Sequence, residues 1–175
     1  MKVVIIGGVA GGASAAARLR RMNEEAEIIL FERGPYISYA NCGLPYYIGG
    51  TIKERNRLLV QTADNMRARF KIDVRLESEV LQIHREKKQV LVQNHQDGST
   101  YLESYDKLIL SPGAEPIVPK IPGLEEVRSG IFTLRTLPDT DAIAEFIKQN
   151  DPKRAVVIGA GFIGLEMAEN LKANK

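Results

Sequence analysis

A single thiol and two glycine-rich loops are the chemically suggestive features of this 175-residue chain. Cys42 is its only cysteine and sits in SYANCGLPYY (38–47), among Tyr39, Gly43, Pro45, Tyr46 and Tyr47. A thiolate is a nucleophile, whereas an isolated thiol is often only a small buried packing group. With no second cysteine within this segment to resolve an intermediate, a reacting Cys42 is expected to find its sulfur partner in a substrate or to cycle through a sulfenic acid. The second feature is VVIGAGFIGLEMAENL (156–171), a full GxGxxG formed by Gly159, Gly161 and Gly164. The first such glycine permits a tight turn, the second a close pyrophosphate, the third close helix–strand packing. Phe162 and Ile163 lie inside this loop, and free N–H groups at the following helix start suit phosphates. The third feature is IIGGVAGGASAAAR near the N-terminus. Gly7 and Gly12 take the first and third positions and Val9 the central one; Gly8, Ala10 and Gly11 complete the loop, the two glycines relaxing it around Val9. Glu32 follows about 20 residues on, where an acidic side chain accepts from ribose hydroxyls. Two dinucleotide loops imply two dinucleotides, and flavin plus nicotinamide is the economical pair for passing a hydride.

The elements that must position these residues follow from hydrophobic pattern. Residues 2–6 (KVVII) and 27–32 (EIILFE) are short β-branched or apolar runs bounded by turn signals and read as buried strands. Residues 11–22 between them read as an alanine-rich helix, so the first unit is βαβ and its sheet parallel. A short helix is expected just after Cys42, its dipole acting on the thiol. Residues 62–70 read as a helix with Thr62 as N-cap. Residues 72–84, 88–94 and 99–104 alternate and predict a small antiparallel meander; 105–111 predicts a further buried strand. SPGAEPIVPKIPG reads as a linker, because proline removes backbone donors. Residues 138–149 predict an amphipathic helix, 154–159 a strand and 162–173 a helix.

Bulk properties exclude several classes. Twenty-four basic and 22 acidic residues leave a net charge of +2, too balanced to argue for nucleic acid. One cysteine is no disulfide scaffold, and a reducing cytoplasm is the natural compartment. No run approaches the roughly 18 apolar residues of a membrane span, and the N-terminal run VVII is too short for a secretory signal. His84 and His95 show no metal-ligand spacing, so no metal is expected.

GGVAGGASAAARLRR, FERG, SYANCGLPYYIGG, YDKLILSPGAEP, FTLRTLPDTD and VVIGAGFIGLEMAENL together resemble the N-terminal part of the single-cysteine pyridine nucleotide–disulfide oxidoreductases. Within that family the chain is most similar to the coenzyme A-disulfide reductases, including rhodanese-fused forms that act on persulfides. Asn-Cys-Gly-Leu-Pro-Tyr is the most specific run. Related NADH oxidases and peroxidases usually carry Ser before the cysteine and lack Leu-Pro-Tyr; Val9 is usual in the subgroup. The resemblance implies an α/β fold: a Rossmann-like FAD domain with a small meander, then the start of a second Rossmann-like NAD(P) domain. It implies that Gly7 to Gly12, Glu32 and Arg33 contact FAD, with Val80 against the adenine and Ser111, Pro112 and Gly113 near the flavin. Cys42 would lie beside the flavin ring, and the second loop would hold NADH or NADPH.

Reduced flavin would then release a Cys42 mixed disulfide, and the thiolate would attack the next disulfide or persulfide. Ser14, Arg18 and Arg21, spaced i, i+4, i+7, share one helix face that could meet coenzyme A phosphates. Ala15, Leu19 and Met22 would pack inward beside them. The resemblance also points to Arg21, Ser38, Tyr39, Asn41, Gln61 and Thr62 as lining the substrate channel, with Arg69 and Lys71 weaker candidates. The expected organisation is a discontinuous FAD domain over 1–114 with its meander at about 72–104. A linker and helix over 115–150 follow, then the start of a truncated NAD(P) domain over 151–175. A homodimer through a domain beyond this segment is implied, and the segment alone is expected to be inactive. Two other readings stand beside this one: an NADH oxidase or peroxidase cycling Cys42 through a sulfenic acid, and a non-catalytic flavin-binding redox sensor.

Overall fold

Lys2–Ile6 forms strand β1, Gly11–Met22 helix α1 and Glu27–Phe31 strand β2, and the two strands pair in parallel with Val3 opposite Ile28. The computed structural model describes residues 1–127 and 129–173. The chain then continues through helix α2 (Leu44–Ile48), helix α3 (Ala63–Phe70), strands β3 (Asp73–Arg75), β4 (Ser78–His84), β5 (Gln89–Asn94), β6 (Thr100–Ser104) and β7 (Lys107–Leu110). Helices α4 (Leu137–Asn150) and α5 (Phe162–Ala173) complete it. These elements fall into two units. One comprises Met1–Tyr39 and Leu59–Gly113, the other Ala40–Leu58 and the chain from Ala114 on.

The first unit is α/β, as the periodicity predicts. Its four-stranded parallel sheet has the order β3-β2-β1-β7. Strand side chains alternate, so each face takes every second residue. Val3, Ile5, Ile28 and Leu30 pack with Ala13 and Ala16 of α1 and with Ala63 and Met66 of α3. Val4, Ile29 and Phe31 face the other way and pack on Val90 and Val92 of the antiparallel sheet β4-β5-β6. Both faces are covered, which is why KVVII and EIILF read as continuous apolar runs.

Two details differ from the sequence reading. The stretch 72–84 is not one meander strand: β3 joins the parallel sheet beside β2, and only β4 belongs to the meander. Glu77, at φ 50°, turns the chain between them. Alternation has the same period in parallel and antiparallel strands, so the pattern could not separate them. Met22 is also 69% exposed. The inward face of α1 is Gly12, Ala13 and Ala16 with part of Leu19, and Met22 lies about 60° around the helix from Leu19.

The second unit is helical. Thr136 caps α4: its Oγ1 accepts from Asp139 N at 3.3 Å, and Asp139 Oδ2 accepts from Thr136 N at 2.8 Å. Ile48 of α2, Ile143 of α4 and Met167 of α5 form the unit's apolar cluster, flanked by Leu134, Ile147 and Leu171. The predicted strand 154–159 does not form. Neither sheet includes it, and Val156 is 87% exposed. A strand exists through its ladder, and no described segment pairs with this one. Among the described residues no helix is long and apolar enough to cross a membrane.

Candidate active site

Strands β1, β2 and β7 run in parallel and end at Ile6, Phe31 and Leu110. Their carboxyl ends therefore bring Gly7–Gly12, Glu32 and Ser111 to one edge, where sheet order changes direction between β1 and β7. Gly7 has φ +93°, a left-handed conformation that a side chain resists, and a Cβ there would stand 1.9 Å from Ser111 O. A Cβ on Gly12 would stand 1.7 Å from Gly7 O, the close packing expected of a third glycine. Gly8 and Gly11 do more than relax the loop around Val9. A Cβ on Gly8 would meet Ile37 Cγ2 at 2.6 Å, and one on Gly11 would meet Ser111 Oγ at 2.9 Å. Ala10 is the N-cap of α1 and offers no capping side chain, and the first turn carries no acidic residue. Its N–H groups are therefore open to an anion, and the glycine cradle leaves room for a pyrophosphate. The loop fits a dinucleotide.

Glu32 Oε2 accepts from Gly8 N at 2.7 Å and Oε1 accepts from Gly34 N at 2.9 Å. The carboxylate is thus fixed against the loop, and each oxygen keeps lone-pair capacity for a ribose hydroxyl. Arg33 beside it is exposed. Ser111 N donates to Ile6 O at 2.8 Å, while Pro112 and Gly113 are exposed. Val80 is half-buried against the Val4–Ile29–Phe31 cluster.

The second loop repeats the device in the second unit. Gly159 has φ +107°, and a Cβ on Gly164 would stand 2.0 Å from Gly159 O. Nothing lies within 4 Å of a Cβ on Gly161, and Phe162 and Ile163 are exposed. The loop and its helix hold their geometry without a strand ladder.

Cys42 is exposed, at the middle of a 3-10 turn over Asn41–Gly43. The turn is pinned on both sides. Gly43 N donates to Ala40 O at 2.9 Å, and Leu44 is buried at the start of α2. Gly43 is needed because a Cβ would press on Leu58 Cδ2 at 2.8 Å. Pro45 suits the first turn of α2, where its missing N–H costs nothing. The short helix expected just after Cys42 is present: α2 has five residues and starts two residues after the thiol. Asn41 Oδ1 is buried with no hydrogen-bond partner among the described residues.

Ser14, Arg18 and Arg21 are all exposed on one face of α1, as their spacing predicts. Neither arginine has an ion-pair or hydrogen-bond partner among the described residues. Arg20, which the spacing argument passed over, is structural. Its Nε donates to Phe70 O at 2.8 Å and its Nη2 to Lys71 O at 2.8 Å, tying α1 to the end of α3. Lys71 is the left-handed C-cap of α3, and Arg69 lies over the Phe70 ring at 5.4 Å. Gln61 and Thr62 line a shallow groove of about 220 Å³ with Tyr36, Asp64 and Arg67. The Thr62 hydroxyl also caps α3, accepting from Asn65 N at 3.2 Å. Ser38 and Tyr39 belong to the first unit with these residues, and Asn41 to the second with Cys42. Among the described residues no cluster of His, Cys, Asp or Glu could hold a metal ion.

Sequence reasoning missed a bidentate pair in the second unit. Arg55 Nε and Nη2 donate to Asp141 Oδ1 and Oδ2 at 2.7 and 2.6 Å, tying the 40–58 excursion to α4. It also missed Asn170 of α5, buried against Gly49, where a Cβ would stand 2.5 Å from Asn170 Oδ1. Neither has a local signature, since their partners are remote in sequence.

The family model described as pyridine nucleotide-disulphide oxidoreductase matches residues 1–174. The coenzyme A disulfide reductase of Staphylococcus epidermidis is 46% identical over 171 residues, which cover 97% of this chain and 38% of that relative's length. The crystal structure of reduced Bacillus anthracis CoADR-RHD is 60% identical with a TM-score of 0.96, covering 98% of this chain and 31% of that one. The NAD-dependent persulfide reductase from A. fulgidus is 39% identical with a TM-score of 0.92, covering 99% and 32%.

Proposed function

The chain belongs to the pyridine nucleotide-disulphide oxidoreductases, and on that premise we propose that the protein is an FAD-dependent NAD(P)H oxidoreductase that reduces coenzyme A disulfide or a persulfide through Cys42. The observation that carries this reading is the exposed Cys42, the chain's only cysteine, held in a pinned turn. The similarity to a coenzyme A disulfide reductase and to a persulfide reductase supports the substrate class.

In this reading Gly7 to Gly12 and the open first turn of α1 hold the FAD pyrophosphate, while Glu32 and Arg33 hold its ribose end. Val80 and Ser111 to Gly113 complete the FAD site. Gly159, Gly161, Phe162, Ile163 and Gly164 hold NADH or NADPH. The domains follow: FAD-binding over 1–114, a linker and helix over 115–150, and NAD(P)-binding from 151. Ser14, Arg18, Arg21, Ser38, Tyr39, Asn41, Gln61 and Thr62 bind coenzyme A, the two arginines on its phosphates.

Cys42 Sγ, as thiolate, attacks one sulfur of the substrate. The new S–S bond joins Cys42 to one half, and the other half leaves as a thiolate that takes a proton. When bound, the two cofactors supply the electron pair that cleaves this mixed disulfide. No second cysteine lies within these 175 residues, and in this reading Cys42 holds the half-substrate until that reduction.

The test is the intact mass of the full-length protein as purified, before and after a thiol reductant. A coenzyme A adduct on Cys42, lost on reduction and absent from Cys42→Ser, is expected. A chain heavier only by oxygen would instead favour an oxidase or peroxidase cycle through a sulfenic acid.

A further inference from the structure

Ser38 stands apart from the other non-glycine residues with positive φ. Lys71 and Asp151 are left-handed C-caps of α3 and α4, and Glu77 and Lys88 turn the chain between strands. Ser38, at φ 45°, serves no such purpose, yet a left-handed conformation disfavours an L-residue. What it does is aim its peptide groups. Ser38 N donates to Gly8 O at 3.0 Å, and Ser38 O accepts from Val60 N at 2.8 Å and Gln61 N at 3.1 Å. The Ser38 hydroxyl makes no hydrogen bond among the described residues.

The Gly8 peptide is thereby held at both ends, its N–H by Glu32 and its C=O by Ser38. Ile37, 2% exposed, fills the space above Gly8 and seats Ser38 there. Ser38 bends the chain just before the Tyr39–Leu59 bridge, and strain at a residue that is neither a helix cap nor a strand-to-strand turn points to a functional constraint. We propose that Ser38 is a positioning residue whose left-handed backbone, rather than its hydroxyl, sets the dinucleotide loop for the flavin cofactor. This rests on the flavin reading of the first loop. A residue that leaves the left-handed region cannot keep its N–H on Gly8 O and its C=O on Val60 N and Gln61 N together, and so frees the loop that the cofactor must find preformed.

The experiment compares four variants of the full-length protein, stripped of cofactor and titrated with FAD by flavin fluorescence. Ser38→Gly and Ser38→Asn tolerate the left-handed region and should keep FAD affinity within about twofold. Ser38→Thr and Ser38→Val are β-branched and should bind FAD about tenfold more weakly. Thermal unfolding of the stripped proteins checks that each is folded; should Ser38→Val not fold, Ser38→Thr against Ser38→Asn still decides. A hydroxyl role predicts the opposite order, with Thr retained and Gly and Asn impaired, and would overturn the proposal. Equal affinity in all four would overturn it too. Wild-type protein that takes up no FAD would instead refute the flavin reading, and the proposal with it.

Discussion

Gly161 and Gly164 sit three residues apart in the second loop, and substitution by alanine should separate binding from folding. At Gly164 a Cβ would lie 2.0 Å from Gly159 O and 3.1 Å from its carbonyl carbon. Relief requires about 1 Å of movement, since Cβ contacts essentially never fall below 3.0 Å. The obstacle is backbone, in a loop whose Gly159 is itself left-handed, so it cannot rotate aside. Overpacking of this kind costs ~1–3 kcal/mol. At Gly161 nothing lies within 4 Å and φ is unexceptional. Alanine there removes unfolded-chain freedom, worth about 0.4–1 kcal/mol, and weakens the helix start by a similar amount. Gly161→Ala should therefore unfold at nearly the wild-type temperature. In the proposed nucleotide site its methyl group, however, would occupy the approach of a pyrophosphate to the backbone. Losing one charge-assisted N–H contact costs ~1.5–3 kcal/mol, about tenfold or more in affinity. The assay is calorimetric titration of the full-length protein with NADH and NADPH, beside thermal unfolding. Wild-type nucleotide affinity in Gly161→Ala would refute the placement of the pyrophosphate, and an unchanged unfolding temperature in Gly164→Ala would refute the packing argument.

Replacing both Arg18 and Arg21 by Ala should raise KM for coenzyme A disulfide about thirtyfold with little change in kcat, from about 1 kcal/mol for each of two exposed charge pairs. The effect should shrink as salt rises, because exposed charges are screened; steady-state kinetics at two ionic strengths checks both. Burial pushes the Glu103 carboxyl up, but hydrogen bonds from Lys2 and Arg75 outweigh it and hold Glu103 below its ordinary 4.5. Its stabilising contribution is therefore present above about pH 4.5 and is lost as pH falls through the lowered value. Glu103→Gln should cost ~1–3 kcal/mol at neutral pH and flatten the acid limb of stability, read from urea unfolding between neutral pH and about pH 3. Asp141→Ala removes the bidentate partner of half-buried Arg55 and should lower stability by ~1–2 kcal/mol, measured by denaturant unfolding.

Sequence alone determined the parts of this protein that depend on neighbours along the chain. Apolar runs and their period set β1, β2 and β7 and the helices. Thr62 announced the start of α3 through a side-chain oxygen that reaches only its own first turn. Both glycine loops were legible because the turn, the close approach and the helix start lie within one short segment. The exposed face of α1 followed from helical spacing, although Met22 showed that spacing does not say where a short helix leaves its support. Tertiary structure alone decided what depends on remote partners. Whether an alternating segment joins a parallel sheet or a meander is set by which strand it meets, so β3 and β4 had to be seen to be separated. The segment 154–159 has a strand's sequence but no ladder, because hydrogen-bonding partners are a property of the surroundings. Ser111 comes to the first loop through sheet order, and Asp141 to Arg55 across 86 residues. The left-handed backbone at Ser38 carries no local signal, since serine does not demand it; the carbonyl of Gly8 and the N–H groups of Val60 and Gln61 impose it from outside the segment.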